Sequence, residues 1–472
     1  MSLFANLLSQ FISDSPYSIK KLSDECNVDR TVIQKYISGE RLPNSYKNIE
    51  KIINKLTLTK KQKKNLRKTY DIEKIGIDKY NHFIKLKQII ENINHININH
   101  IEINYNLNTK HTIAKNIDEL IINIHFIIND AINSKNNTLK LYIPTNNILY
   151  STIINSFYLS HNFHIKQILH LENDQENYKN MLNLIQFDNC FFTLLSQNVI
   201  TKYNYNNFIS TLSHYISYSY MICSEQYTLL IDSQLSSGIL LTNEISQFLN
   251  HQFDIIFKNS QIYNSQHFSS FGYLQCHHNF HYIQNRNHNI LANEPSIISV
   301  IDDNLFDYHF IGNKCDYNKI KKYFSDYKNY ILNLTITNTL NIYFTKSGLQ
   351  AFIDTGFTCE FPKEYMTPLS KKERIFILKR FMNIINSNKN YQLHLINENY
   401  FTFPQQCIIS YQENSDIMIM INSNNQNSTI FIKELTIKKE FYHFESFIKL
   451  EELEYDVIYT KHYLQQFIKN NS

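Results

Sequence analysis

Apolar residues recur at helical spacing over the first ninety positions and shift to short strand-like runs further on. Leu3, Phe4, Leu7, Leu8 and Phe11 make a first amphipathic helix. Ile19, Leu22, Ser23 and Cys26 then fall at i, i+3, i+4 and i+7 and share one mostly apolar face. In the next helical pattern Ile33, Tyr36 and Ile37 form an inward stripe, while Thr31, Gln34, Lys35 and Ser38 recur on the opposite, donor-rich side. Residues 46–56 and 60–70 complete five helices, whose expected core is Leu22, Val28, Ile33, Ile49, Ile52 and Leu56. Residues 78–93 read as a sixth, connecting helix with Phe83, Leu86, Ile90 and Ile93 on one face. The alternation NHININHIEINYNLNTK that follows is low in complexity and reads as a linker or an edge strand.

From about residue 111 helices alternate with short apolar runs. Helices are expected at 113–132, 147–159 and 173–185, and strands at 139–144 and 164–171. FFTLLS at 191–196 and YTLLID at 227–232 read as added strands, and residues 244–257 as a helix. A helix at 370–386 precedes the strand patterns YQLHLI, QCIISY, DIMIMI and TIFIKEL, and two short helices close the chain. That rhythm predicts an α/β layer with some parallel pairing. The expected organisation is multidomain: an all-α five-helix N-terminal domain (1–75), a connecting helix and linker (76–110), an α/β sensor or oligomerisation region (111–362) and an α+β C-terminal region (363–472).

The turn between the second and third helices carries consistent local chemistry. Asn27 stands where a left-handed backbone is needed, Asp29 is placed to cap the following helix, Gly39 to end it, and Pro43 prevents its resumption. With Ser18, Leu22, Val28, Ile33, Tyr36, Gly39 and Pro43 in step, and the Ile49, Ile52 and Leu56 stripe behind them, residues 3–70 resemble the phage-repressor-like, or xenobiotic-response-element type, helix-turn-helix family. The resemblance covers about a seventh of the chain. Ile19 stands where that family has a Gln that touches DNA backbone, Ser23 where it has Ala, and Asn27 where it often has Gly. It implies that the third helix enters the major groove. On that reading Arg30, Thr31, Gln34, Lys35 and Ser38 approach base edges, while Ser18, Lys20, Arg41, Tyr46 and Lys47 hold the DNA backbone.

Charge placement supports the same end of the molecule. Residues 1–80 carry 16 Lys and Arg against 9 Asp and Glu, a net of +7, whereas the remaining 392 carry 30 against 33. A localised basic patch attracts a phosphate backbone; the run LTKKQKKNLRK taken alone would equally be a solvated face. The seven cysteines are scattered singly with no CxxC, which reads as reduced, mostly buried thiols. No run of 18 apolar residues and no charged-then-apolar leader occurs, so a cytoplasmic protein without membrane contact is expected. The bias to Asn, Ile, Lys and Tyr, with 7 Gly, 7 Pro and no Trp, follows from AT-rich coding and is not a motif.

Catalytic and cofactor signals are incomplete. Cys276, His277, His278 and His281, near His267 and His288, are the densest ligand cluster, but they make one irregular half of a zinc site, so no metal is expected. His164 and Lys166 resemble the opening of a phospholipase D-type signature, yet its acid five residues after the lysine is Leu171. There is no P-loop, GxGxxG or GxSxG. The 33 Tyr and 32 Phe would line a pocket for an aromatic effector, but serve core filling equally well. No 34-residue period points to helical repeats. The expectation is therefore a sequence-specific transcriptional regulator and not an enzyme: it binds double-stranded DNA as a homodimer, answers to a small-molecule or peptide effector and needs no cofactor. A DNA-targeted enzyme and a protein-interaction module are the competing readings.

Overall fold

The computed structural model describes residues 2–93, 110–160, 163–172, 181–194, 196–205, 218–267, 286–361, 363–422 and 427–472. They divide into two compact units, Met1–Lys85 with Ser446–Glu451, and Leu86–Glu445 with Glu452–Ser472.

The first unit is built from α1 (Leu3–Ser13), α2 (Ile19–Cys26), α3 (Arg30–Ser38), α4 (Tyr46–Lys55), α5 (Lys60–Ile75) and most of α6 (Ile77–Asn92). Leu22, Ile33, Ile49, Ile52 and Leu56 are buried together, with Val28 packed partly against them. On α1 the buried stripe is Phe4, Ala5, Leu8, Phe11 and Ile12, while Leu3 is exposed. Two caps set the borders of α5: Thr59 and Gln62 form a reciprocal capping box, and Gly76 ends the helix. Residues 446–451 belong to this unit through Glu451, which accepts from Lys68 Nζ at 2.6 Å and from Tyr80 OH at 2.7 Å. Phe447 sits against Tyr80 and Phe83.

The second unit carries two mixed sheets. The first has eight strands in the order β1-β7-β6-β5-β2-β3-β4-β8: β1 (Ile113–Ala114), β2 (Thr138–Tyr142), β3 (His164–His170), β4 (Val199–Asn204), β5 (Tyr218–Cys223), β6 (Thr228–Asp232), β7 (Gly238–Leu241) and β8 (Gln261–Ile262). Strands β2, β3 and β4 are parallel. The helices α7 (Ile117–Asn133), α8 (Ile148–Ser160), α9 (Met181–Leu194) and α10 (Asn243–Asn259) belong with it. The second sheet has seven strands in the order β12-β11-β10-β13-β14-β15-β9: β9 (Asn264–His267), β10 (His288–Ala292), β11 (Leu340–Phe344), β12 (Tyr391–Leu395), β13 (Cys407–Gln412), β14 (Ile417–Asn422) and β15 (Asn427–Ile432). Its parallel trio β10-β11-β12 is joined through α11 (Asp303–His309), α12 (Lys314–Thr337), α13 (Lys346–Thr355) and α14 (Lys371–Ser387), and α15 (Leu435–Leu450) and α16 (Val457–Asn471) follow.

Strands β10 and β11 are buried at every position, as expected for parallel strands covered on both faces. One face packs into the large apolar core with Phe306, Phe324, Phe352 and Phe381. The other bears polar residues, several of which pair: Asn341 Nδ2 donates to Asn289 Oδ1 at 2.8 Å, His394 Nε2 lies 3.2 Å from Asn341 Oδ1, and His394 Nδ1 meets Glu454 at 2.7 Å. Gly348 opens α13 where a Cβ would lie 1.9 Å from the Asn293 carbonyl oxygen, an approach only glycine allows.

The fold expected from the sequence, an all-α five-helix N-terminal domain ahead of one α/β or α+β region, is corrected by this architecture. Two large mixed sheets of 8 and 7 strands dominate the chain, and the helical unit does not close on five helices but takes in α6 and residues 446–451. The physical reason is that Tyr80, Phe83 and Lys68 find their partners on a segment more than 360 residues away, a pairing no local pattern encodes. FFTLLS is likewise not a strand: its first four residues end α9, where Phe191 and Leu194 continue the buried apolar face of Leu184 and Phe187. Residues 94–109, read as linker or edge strand, lie outside the described residues.

Candidate nucleic-acid interface

The pair α2 and α3 is fixed by a turn in which each backbone irregularity has a local cause. The Ser18 side chain accepts from Lys21 N–H at the start of α2. Asn27 ends that helix in the left-handed conformation, φ 50° and ψ 52°, which Asn tolerates better than most residues. Across the turn the Ser23 hydroxyl donates to the Val28 carbonyl at 2.7 Å, a bond that Ala at this position could not make. Asp29 caps α3 by accepting from Thr31 N–H at 2.7 Å, and Gly39 closes it at φ 77°. From the far side, the buried Tyr70 hydroxyl donates to the Pro43 carbonyl at 3.0 Å. Glu73 accepts from Phe4 N–H at 2.8 Å and from the Ser2 hydroxyl, seating α1 on α5.

With Ile33 and Tyr36 turned inward, Arg30, Thr31, Gln34, Lys35 and Ser38 are all exposed. At 100° per residue they span about 140° of the helix surface, over about 12 Å of its length. Two of the five are committed within the chain. The Thr31 hydroxyl donates to Asp29 Oδ1 at 2.5 Å, and the Ser38 hydroxyl to the Lys35 carbonyl at 3.2 Å. The Thr31 hydrogen bond holds the Asp29 carboxyl below the usual carboxylate range, so it stays ionised as a cap. Among the described residues, no intramolecular hydrogen bond or ion pair engages the side chains of Arg30, Gln34 and Lys35. Two cations and one amide are thus the groups this face offers outward.

The flanking residues divide in the same way. Lys20 and Lys47 are exposed. Arg41 Nε donates weakly to Asn44 Oδ1 at 3.4 Å, and Tyr46 leans edge-on against Tyr70 with ring centroids 5.9 Å apart. Ser45 makes no side-chain cap on α4, and the Asn48 amide is closed by the Ser45 carbonyl at 3.1 Å. In the basic run, Arg67 is held by Glu50 in a two-pronged pair at 2.6 and 2.8 Å, and Lys68 is held by Glu451. Lys60 and Lys61 stay exposed in the first turn of α5, where the helix dipole disfavours cations; an external polyanion would relieve that cost. The Tyr70, Glu73 and Glu451 ties were not legible in the sequence, because each joins residues far apart along the chain.

Elsewhere, the densest His and Cys group, Cys276, His277, His278 and His281, lies outside the described residues. His288 is buried in β10 with its Nε2 at 2.6 Å from Ser410 Oγ. Lys166 of the H-x-K pair lies over the Phe257 ring at 5.9 Å. Among the described residues, no group of three or more His, Cys, Asp or Glu is placed to hold a metal ion. No helix among them is long and apolar enough to cross a membrane. Five cysteines, 26, 190, 223, 359 and 407, are buried free thiols.

No family model and no curated protein matches the chain. Among solved structures, the chain is similar to TrmBL2, an archaeal chromatin protein described with a novel mode of DNA binding, at 8% identity over 48% of this chain and 76% of that one, with a TM-score of 0.22. It is similar to the phosphatidylserine synthase of Haemophilus influenzae Rd KW20 at 10% identity over 76% of this chain and 93% of that one, with a TM-score of 0.24. Likenesses at these scores carry no argument about fold or function.

Proposed function

We propose that this chain is a sequence-specific DNA-binding transcriptional regulator of the phage-repressor-like helix-turn-helix kind, acting in the cytoplasm. The observation that carries the reading is the outward face of α3: Arg30, Gln34 and Lys35 are exposed on a capped helix and engaged by nothing within the described chain. Placed in a major groove, Gln34 pairs with N6 and N7 of an adenine, and Arg30 and Lys35 reach guanine or phosphate. Thr31 offers its methyl group to a thymine, since its hydroxyl proton is spent on Asp29. Ser18, Lys20, Arg41, Tyr46 and Lys47 hold the backbone, with Lys60 and Lys61 adding charge. Two copies reading half-sites about 34 Å apart supply the contact area that one small reading helix lacks. Residues 111–472 carry the sensing and dimerising surfaces, and a small-molecule or peptide effector acts by favouring one spacing of the reading helices.

The test is a gel-shift titration of the full chain against salt, first on random duplex and then on sites selected from it. A reader loses affinity steeply as salt rises, because each phosphate contact releases counterion. Absence of binding to any duplex at low ionic strength, or a flat salt slope, removes the proposal.

A further inference from the structure

The helix α10 (Asn243–Asn259) turns Ser246, Leu249 and Phe253 to the first sheet. It is pinned there by Lys140, whose ammonium meets Asp254 at 2.8 Å and Asn250 Oδ1 at 2.5 Å. Opposite that face Glu244, Gln247, His251, Asp254 and Lys258 are exposed, as on an amphipathic surface helix, but one flank is apolar. Ile245, Phe248 and Ile255 are 60%, 56% and 41% exposed, and with Gln252 they alternate in steps of three and four, the spacing of a coiled-coil seam. Ile200 and Ile262 extend the apolar area. Lys202, whose ammonium bonds the Phe257 carbonyl at 2.6 Å, pairs in register with Ile262, and Ile200 lies two residues before it on the same face. Both isoleucines are more than half exposed.

From this seam we infer that α10 is the surface on which a second copy of the chain docks, antiparallel about a two-fold axis. The helix is complementary to itself in one register. Centring the axis at residue 250 sets Ile245 against Ile255 of the second copy and Phe248 against its Gln252, with an isoleucine layer at each end of the seam. The same register brings Glu244 opposite Lys258 of the second copy, and Lys258 opposite its Glu244. Both residues are exposed and flank the seam on the same edge at a spacing of two heptads. An unrelated partner would have no reason to match both the apolar positions and the charges about one centre, whereas an isologous interface requires it. Gln252 within the seam disfavours other registers, as a single polar core residue does in coiled coils. The seam is short, four positions on one helix, so the dimer forms reversibly and is reinforced when both copies sit on one DNA site.

The inference rests on the DNA-reading proposal for its purpose but is tested without DNA, so each can fail alone. Sedimentation equilibrium of the full chain is expected to show monomer–dimer exchange. Phe248→Glu, an exposed position whose change leaves the thermal melt intact, shifts the chain to monomer. Glu244→Lys weakens association, and Glu244→Lys with Lys258→Glu restores it, because the reversed charges still meet across the axis. A monomeric wild type, a Phe248→Glu variant that associates as the wild type does, or a double swap that fails to recover would each overturn the α10 interface. Lost salt-dependent DNA binding with association unchanged would count only against the reading of α3.

Discussion

The helical unit and the two-sheet unit dispose of their polar groups in opposite ways. In the helical unit the chemistry that matters stays outside: α3 buries Ile33 and Tyr36 and leaves Arg30, Gln34 and Lys35 with nothing in the described chain to bind. In the two-sheet unit many polar groups are taken in, some of them paired as in the Asn289–Asn341–His394–Glu454 chain, and an apolar stripe is left outside on α10. A small helical bundle has little interior in which to enclose a polar network, whereas strands covered on both faces take their polar residues inside. An exposed donor face therefore points to a polyanion, and an exposed apolar seam to another protein surface.

The comparison breaks most visibly at α3. Replacing Gln34 and Lys35 together with Ala removes contacts worth ~1–3 kcal/mol for each good base pairing, so discrimination between a selected site and random duplex should fall by on the order of 100-fold or more. Circular dichroism and the thermal melt should be unchanged, since both side chains point outward. Wild-type selectivity in that variant would end the groove assignment.

At the opposite pole, Glu360 tests the cost of enclosing charge. Its carboxylate accepts from Ile297 N–H at 2.6 Å and Ile298 N–H at 3.2 Å, and from the Ser296 hydroxyl. Burial nevertheless pushes its pKa up to about 7, and nearby Glu294 is raised for the same reason. A carboxyl raised in the folded state binds protons there that the unfolded chain has released, so stability falls as pH rises from ~4.5 to ~7 and is then level. Glu360→Gln removes this dependence, a difference of about 3 kcal/mol across that window. Thermal melts from pH 5 to pH 8 should show the wild type losing ground relative to the variant; parallel curves would mean that Glu360 does not titrate there.

The smallest effect sharpens the helical side. Tyr70→Phe leaves the buried Pro43 carbonyl without its donor and should cost about 1 kcal/mol, read as a lower melting temperature. If Tyr70 positions the loop after α3, DNA affinity falls as well; a change in melting temperature alone would make the bond purely structural.

Much of this was legible along the chain. The caps at Ser18, Asp29 and Gly39, the left-handed Asn27 and the inward stripe of α3 depend on residues within a few positions of one another, and they stand as the local chemistry requires. The alternating run YQLHLI likewise marked β12. FFTLLS misled because a fully apolar run has no period to distinguish a buried helix end from a strand. The sequence marked residues 244–257 as a helix, but not that Ile245, Phe248 and Ile255 would face outward.

What the sequence by itself determined is therefore local: which segments are helices, how they begin and end, and which side of α3 is polar. The tertiary structure alone decided which exposed groups stay unspent, pairing Lys68 with Glu451 and Arg67 with Glu50 while leaving Lys60, Lys61 and Arg30 outside. It also decided that strands from 113 onward form two sheets, and that residues 446–451 belong with the first 85. Hydrogen-bonded caps act over a single turn of chain and are written in adjacent letters. Sheet order and long-range ion pairs are chosen by which closures of the whole chain bury the most apolar surface with the fewest polar groups left unpaired, and no short stretch of sequence contains that choice.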